Sequence, residues 1–263
     1  MGRPISGKHS IEAVVFSCVF ERAFSRTSIE ALMTLKETLK EKYPVFSTTN
    51  VVNVRFEHQK MASESSHAIA GVSLQKLHSE TKKPDWTLRA DANLINITCF
   101  SYDRWNIEST KALEDLTTVI NLVADDQNPV TNLALQTVDR FVGGPTSEYK
   151  INKVFDTRSK YLTRQVKESG PLWHIYQGWF EKDPTTKKHL LNNLNLSTNE
   201  TPQGVVTTID HNLKYIFNPP SPATDLTDID NISAIFQLLH DHNKEIVTDL
   251  ITKKQCNAIK LCH

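Results

Sequence analysis

The chain is poor in glycine, with eight in 263 residues. Loops that cradle phosphate with backbone N–H groups need clustered glycines at fixed spacing, so neither a P-loop nor a dinucleotide-binding turn is present. The nucleophile elbow Gly-x-Ser-x-Gly is missing as well. The four cysteines, Cys18, Cys99, Cys256 and Cys262, form no Cys-x-x-Cys pair. Cys18 and Cys99 lie in apolar runs, where a thiol behaves as a small buried hydrophobe. Cys256, Cys262 and His263 gather at the C-terminus without the spacing of a zinc site, and fraying is the expectation there.

Net charge is missing too. Thirty Lys and Arg balance thirty Asp and Glu, so no global field recruits nucleic acid or an anionic membrane, and any such contact must come from a local patch. No apolar run approaches the length of a membrane span, and no signal-peptide h-region precedes a cleavage site. A cytoplasmic protein without membrane partners is expected, so the Asn-x-Ser/Thr sequences at Asn96, Asn195, Asn199 and Asn231 carry no weight as glycosylation sites. The start Met-Gly-Arg-Pro-Ile-Ser matches a loose myristoylation pattern, but one acyl chain holds a membrane only marginally.

What is there is ordinary globular material: 39% hydrophobic and 23% charged residues, in a chain long enough to bury a sizeable core. Ile11–Glu21 alternates with apolar residues on both faces and reads as a central strand. Thr27-x-x-Glu30 reads as a capping box opening a helix with the stripe Leu32, Leu35, Leu39, closed by Pro44. Val52, Val54 and Phe56 suggest the next strand. Gly71–Ser79 and Asp85–Asp91 suggest a hairpin, and the turn Asp91-Ala92-Asn93 leads into a strand over Leu94–Tyr102. A helix is expected over Ile107–Ala124 and a strand over Thr131–Val142. The order predicts an α+β fold: a mostly antiparallel sheet with a ferredoxin-like (split βαβ) half over residues 1–145.

Residues 146–263 would pack on that half, as a second domain or as part of one continuous one. They offer a short helix within Asp156–Ser169, an aromatic strand over Pro171–Phe180, and a hairpin of His189–Thr198 with Gly204–Phe217. After the proline-rich 218–222 spacer, a long helix is expected over Asp228–Ile259, with Asp228 and Asp230 at its positive end.

Several of these pieces together resemble a sporadically distributed prokaryotic family of uncharacterised proteins of about this length. The matching places are Ile11–Phe20, the corner Tyr102-x-Arg104-Trp105, the strand end Asp139-Arg140-Phe141, and Leu238–Thr252 in the last helix. Val247 departs from it, where an aromatic facing the core is expected. The resemblance implies an α+β fold and a prokaryotic source, its patchy distribution hints at defence-associated gene neighbourhoods, and it implies no catalytic residue.

Chemistry is sparse. In the stretch Leu239–Thr252, His240 and His242 fall on opposite flanks of the apolar stripe Ile232, Ile235, Phe236, Leu239, Ile246, Leu250, and cannot hold one ion together. His242, Glu245 and Asp249 share a flank and are weak metal candidates that need a second element; a solvated flank is expected, with His240 packed at the core edge. Asp225, Asp228 and Asp230 lack the glycine and terminal Glu of a calcium loop. No catalytic residue and no cofactor are expected. From Arg140 to Lys167 basic residues outnumber acidic ones; Lys153, Arg158, Lys160, Arg164 and Lys167 are nucleic-acid-binding candidates, with Tyr149, Tyr161, Trp173, Tyr176 and Trp179 as stacking platforms. A solvated basic helix is the expectation for this segment. Taken together, these residues suggest a non-enzymatic interaction protein with a protein partner; the alternative is a nucleic-acid-binding or nucleic-acid-cleaving protein using Arg140–Lys167.

Overall fold

The computed structural model describes residues 2–53, 56–57, 60–61, 66–184 and 186–261. The chain enters through β1 (Arg3–Pro4) and β2 (Ile11–Phe20). Helices α1 (Arg26–Leu32) and α2 (Leu35–Thr38) lead to β3 (Val45–Asn53), a small hairpin of β4 (Phe56–Glu57) and β5 (Lys60–Met61), then β6 (Ser66–Leu77), β7 (Pro84–Asp91), β8 (Leu94–Cys99) and α3 (Trp105–Val123). The rest comprises β9 (Val130–Val142), a turn-rich crossing that contains α4 (Arg164–Glu168), β10 (Trp173–Lys182), β11 (His189–Thr201), β12 (Gly204–Ser221), α5 (Ile229–Leu250) and α6 (Lys253–Ala258).

The fold is α+β, built on one ten-stranded antiparallel sheet. Its order is β10-β11-β12-β9-β2-β8-β7-β6-β3, with β1 added to β9. The sheet is larger than a split βαβ half: that arrangement sets one antiparallel strand between the two strands joined by a helix, whereas three, β8, β7 and β6, stand between β2 and β3. From β2 the chain crosses by helices to the far edge β3, then returns through β6, β7 and β8 to β2 before α3. From β9 it crosses to the opposite edge β10, returns through β11 and β12 to β9, and ends in α5. The connectivity repeats, and β9 opens the second half, so the sheet runs unbroken past the boundary at residue 145.

Cross-strand partners form rows with one side of every strand facing the helices. The central row reads Phe46, Leu74, Leu88, Ile97, Phe16, Leu135, Leu213, Asn192, Trp179. Helices α1, α3 and the first turns of α5 cover the first half through Leu32, Leu116, Ile120, Ile232 and Phe236, all fully buried. The second half is covered by the rest of α5 and by the 146–168 crossing, through Phe155, Leu162, Ile246 and Leu250. Val247, the departure from the resemblance, is buried in this second cluster.

Several local expectations shift. Ser25, not Thr27, caps α1, accepting from the Ser28 N–H, and Glu30 pairs with Arg26. Of the Val52–Val54–Phe56 alternation, Val54 lies outside the described residues. The long terminal helix breaks at Ile251, which is extended and bridges Phe155, while the Thr252 side chain caps α6 by accepting from Gln255 N–H. Cys256 is therefore buried in α6 rather than frayed; Cys262 and His263 lie outside the described residues. Among the described residues no helix is long and apolar enough to cross a membrane.

Candidate functional site

The helix flank singled out from the sequence divides among three tasks. His242 Nε2 lies 2.5 Å from Glu181 Oε1 on β10, and its Nδ1 lies 3.9 Å from Glu245 Oε2. Asp249 points elsewhere and accepts a 2.5 Å hydrogen bond from Ser159 Oγ. The three candidate ligands do not converge, and among the described residues no group of three His, Cys, Asp or Glu is placed to hold an ion. His240 stacks flat on Trp105, centroids 4.0 Å apart at 5°, and burial lowers its pKa to about 4. It is a neutral packing residue at the core edge.

Behind His242 runs a buried network that sequence reading missed. Glu181 accepts from Asn192 Nδ2, Asn192 Oδ1 lies 3.0 Å from His211 Nε2, and His211 Nδ1 lies 2.8 Å from the Asn243 side-chain amide, which also contacts Thr137 Oγ1 at 3.0 Å. Burial holds His211 neutral, with a pKa of about 4. A neutral imidazole donates once. Glu181 fixes the Asn192 amide, so the ring proton belongs on Nε2. Asn243 Oδ1, which accepts from Thr137 Oγ1, lies against Nδ1. The available signal was one of phase: His211 and Asn192 fall on the same alternation as the core residues Leu190, Leu194, Ile209 and Leu213. His211 and Asn192 are fully buried, so the network joins sheet to helix and offers no opening to a substrate.

The residues that carry the resemblance divide between the two core clusters, with Phe16 and Trp105 in the first and Phe141, Ile246 and Leu250 in the second. Trp105 stacks on Phe16 and His240 and donates to Gln237 Oε1 at 2.8 Å. Tyr102 packs edge-on against His9. Asp139 is buried, accepts from Ser10 Oγ at 2.6 Å, and is pushed up to a pKa of about 6 by desolvation. Arg140 pairs with Glu12 at 2.7 Å. These contacts join α3, α5 and the central strands, which is packing rather than a reaction centre.

The basic segment is not one helical face. Thr163 caps α4, so Lys160 lies in the turn before the helix, apart from Arg164 and Lys167. Arg158 is bidentate on Asp156, Arg164 pairs with Glu168, Lys153 donates to the Glu148 carbonyl, and Lys160 lies 5.0 Å over the Tyr161 ring. Tyr161 in turn stacks on Trp179. Of the aromatics proposed as platforms, these two and Trp173, which packs on Phe155, face the helix side of the sheet.

The opposite face of the sheet carries no such cover. Its residues stay partly exposed along β10, β11 and β12, in strict alternation with the buried set. At the edge, Tyr176 and Phe180 are 65% and 70% exposed, with Gly178 between them on the same side. A side chain at Gly178 would meet Asn193 Oδ1 at 3.3 Å, so that amide floors the gap between the rings. Behind the edge lies a polar groove of about 250 Å³ lined by Gln136, Tyr176, Asn193, Asn195, Asp210, Asn212 and Lys214. Asp210 is held by Gln136 Nε2 at 2.7 Å, and Tyr176 OH donates to Asn193 at 3.0 Å. Among the described residues β10 pairs with β11 alone. Every second residue of an antiparallel edge strand turns its N–H and C=O outward, so β10 presents a row of unpaired backbone groups beside two exposed rings. No model of a known protein family matches the chain, and no curated protein matches it.

Proposed function

We propose that this is a non-enzymatic interaction protein that takes a protein partner along β10. The observation that carries the reading is the pairing of an open backbone edge with Tyr176 and Phe180, both about two-thirds exposed. Natural sheets blunt long apolar edges with proline, bulges or inward charges. Over its ten residues β10 has no proline and no register shift against β11, and its inward charge, Glu181, is engaged by His242 and Asn192. Strand addition supplies affinity from main-chain hydrogen bonds and specificity from alternate side chains. The lack of any recognised catalytic spacing, and the sealed position of the one buried His network, support binding over catalysis. The sporadic distribution of the family that the chain resembles supports an accessory, sensor or antitoxin-like role in a prokaryotic defence system, within the cytoplasm.

The test is quantitative crosslinking in cells of the native host with wild type and with Tyr176→Lys/Phe180→Lys. Both positions are solvent-facing, so the variant should melt like wild type. The expected result is a stoichiometric partner crosslinked through β10 and lost in the variant. An identical crosslink profile for the two proteins would overturn the reading.

A further inference from the structure

We infer that the segment added to β10 is an acidic one, carrying an apolar side chain opposite Gly178 and a carboxylate four residues away on the same face. This rests on the reading of β10 as a partner edge and names the chemistry of its occupant.

The apolar requirement comes from the gap. An added strand sets one residue directly opposite Gly178, with its side chain on the open face between the Tyr176 and Phe180 rings. The glycine leaves nothing there but the Asn193 amide floor, so an aliphatic or aromatic side chain fills the space and covers both rings.

The acidic requirement comes from what lies beyond Phe180. Lys182 is the next residue of β10 on the open face. Lys214 lies in the same cross-strand row as Leu191 and Phe180, and Lys188 follows in the turn to β11. Among the described residues none of these three ammonium groups makes a salt bridge. The carboxylates nearby are engaged: Glu181 turns to the helix side toward His242, Asp183 accepts from the Thr186 N–H and Oγ1, and Asp210 is held by Gln136. In an added strand, the position opposite Lys182 is four residues from the position opposite Gly178, in whichever direction the strand runs. A carboxylate there meets Lys182, with Lys214 two strands further in on the same open face adding to the positive field, whereas a cation there faces like charge. The free lysines thus select among segments that the bare edge would accept.

The experiment selects random dodecapeptides by phage display on the full-length chain, then measures the enriched peptides by fluorescence anisotropy. The expected result is enrichment of an apolar residue with Asp or Glu four positions away. Binding should fall more than tenfold in Tyr176→Lys/Phe180→Lys. It should fall several-fold in Lys182→Glu/Lys214→Glu and be restored there when the peptide carboxylate is exchanged for Lys. Peptides that need the two rings but ignore the lysine reversal would overturn the acidic assignment and leave the edge reading standing. Failure to enrich any peptide sensitive to the ring variant would overturn both. A wild-type dimer in light scattering that Phe180→Lys disperses would mean that a second copy fills the edge, and would also overturn the peptide assignment.

Discussion

The two halves of the sheet follow one connectivity and solve their interiors differently. From β3 to β2 the central row is apolar throughout: Phe46, Leu74, Leu88, Ile97, Phe16. From β9 to β10 it reads Leu135, Leu213, Asn192, Trp179, and the neighbouring row adds Thr137 and His211. The first half does bury a carboxylate, Asp115, but keeps it on α3, where Tyr43 OH and Lys42 Nζ donate to it at 2.6 and 2.7 Å. The second half places its polar groups in the sheet itself. Leucines at neighbouring positions exchange places at little cost, but the ring nitrogens of His211 find partners only when β11, β12 and α5 stand in one register. A two-residue slip, which keeps each strand's faces, would bury those groups unpaired. The comparison teaches that the repeated topology is set by alternation, while register in the second half is also set by hydrogen bonds.

The largest effect expected from breaking this contrast is at the apolar row. Leu88→Ala should cost about 2–5 kcal/mol in denaturant unfolding, and Leu250→Ala a similar amount in the second cluster. Asn192→Leu keeps volume but strands His211 Nε2–H, and should cost about 1–3 kcal/mol. The combination Asn192→Leu/His211→Leu/Asn243→Leu/Thr137→Val should recover much of that loss, because replacing all partners removes the unpaired groups. A quadruple variant less stable than Asn192→Leu alone would show that the network stabilises the half outright rather than specifying its register.

Next comes pH. His211 and His240 have folded pKa values near 4, against about 6.5 in an open chain. Above pH 6.5 neither state is protonated and the burial costs nothing. As pH falls from 6.5 to 4 the unfolded chain gains protons that the folded chain refuses, so stability drops, by up to about 3 kcal/mol per histidine, and levels off below pH 4. Asp139 has the opposite sign: its folded pKa near 6 lies above the ordinary 3.8, so its charged form destabilises the fold at neutral pH and the effect fades as pH falls from 6 to 3.8. Asp139→Asn should therefore stabilise by about 1–3 kcal/mol at pH 8 and change little at pH 3.5. His240→Phe, which keeps a ring on Trp105, should remove about half of the acid-side loss. Thermal melts from pH 8 to 3.5 check all three.

The smallest effect is expected in the basic segment. Lys160→Gln/Arg164→Gln/Lys167→Gln should leave stability within about 0.5 kcal/mol. Two of these cations are separated from the third by the α4 cap, and Arg164 is taken by Glu168. Wild-type binding to single- or double-stranded nucleic acid should thus be weak and vanish near physiological salt. Submicromolar binding at that salt, with a log–log salt slope two to three units shallower in the variant, would restore the nucleic-acid reading.

Much of this architecture is legible in the alternation of β2, β7, β9, β11 and β12 and in the α5 stripe, because one-sided burial writes itself into residue spacing. Strand order is not legible that way. The split βαβ expectation fell short of the full sheet because nothing local tells β2 and β3 that three strands, β8, β7 and β6, stand between them. The helix breaks at Ile251 and before Thr163 escaped for a related reason. In each, a hydrogen bond to a distant segment or a local side-chain cap outweighs helix propensity. In the candidate site, the aromatics of β10 could be sorted into two faces from Leu172 to Trp179, but which face stays open depends on where the crossing segment packs. Asn192 and His211 were visible as polar residues in apolar phase and were passed over because each alone reads as noise.

The central pairing of β2 with β9 bears on synthesis at the ribosome. Phe16 and Cys18 emerge early and can be met on one side by β8, but their other neighbours, Leu135 and Leu133, arrive only after α3 is complete. Until then the nascent chain presents β2 as a bare apolar margin, the kind of surface that chaperones hold and that aggregates at high expression. A truncated chain ending after Val123 would keep that margin permanently. Supplied with the remainder as a separate polypeptide, it should regain solubility through β9, making the central seam a natural place to split the protein and reassemble it.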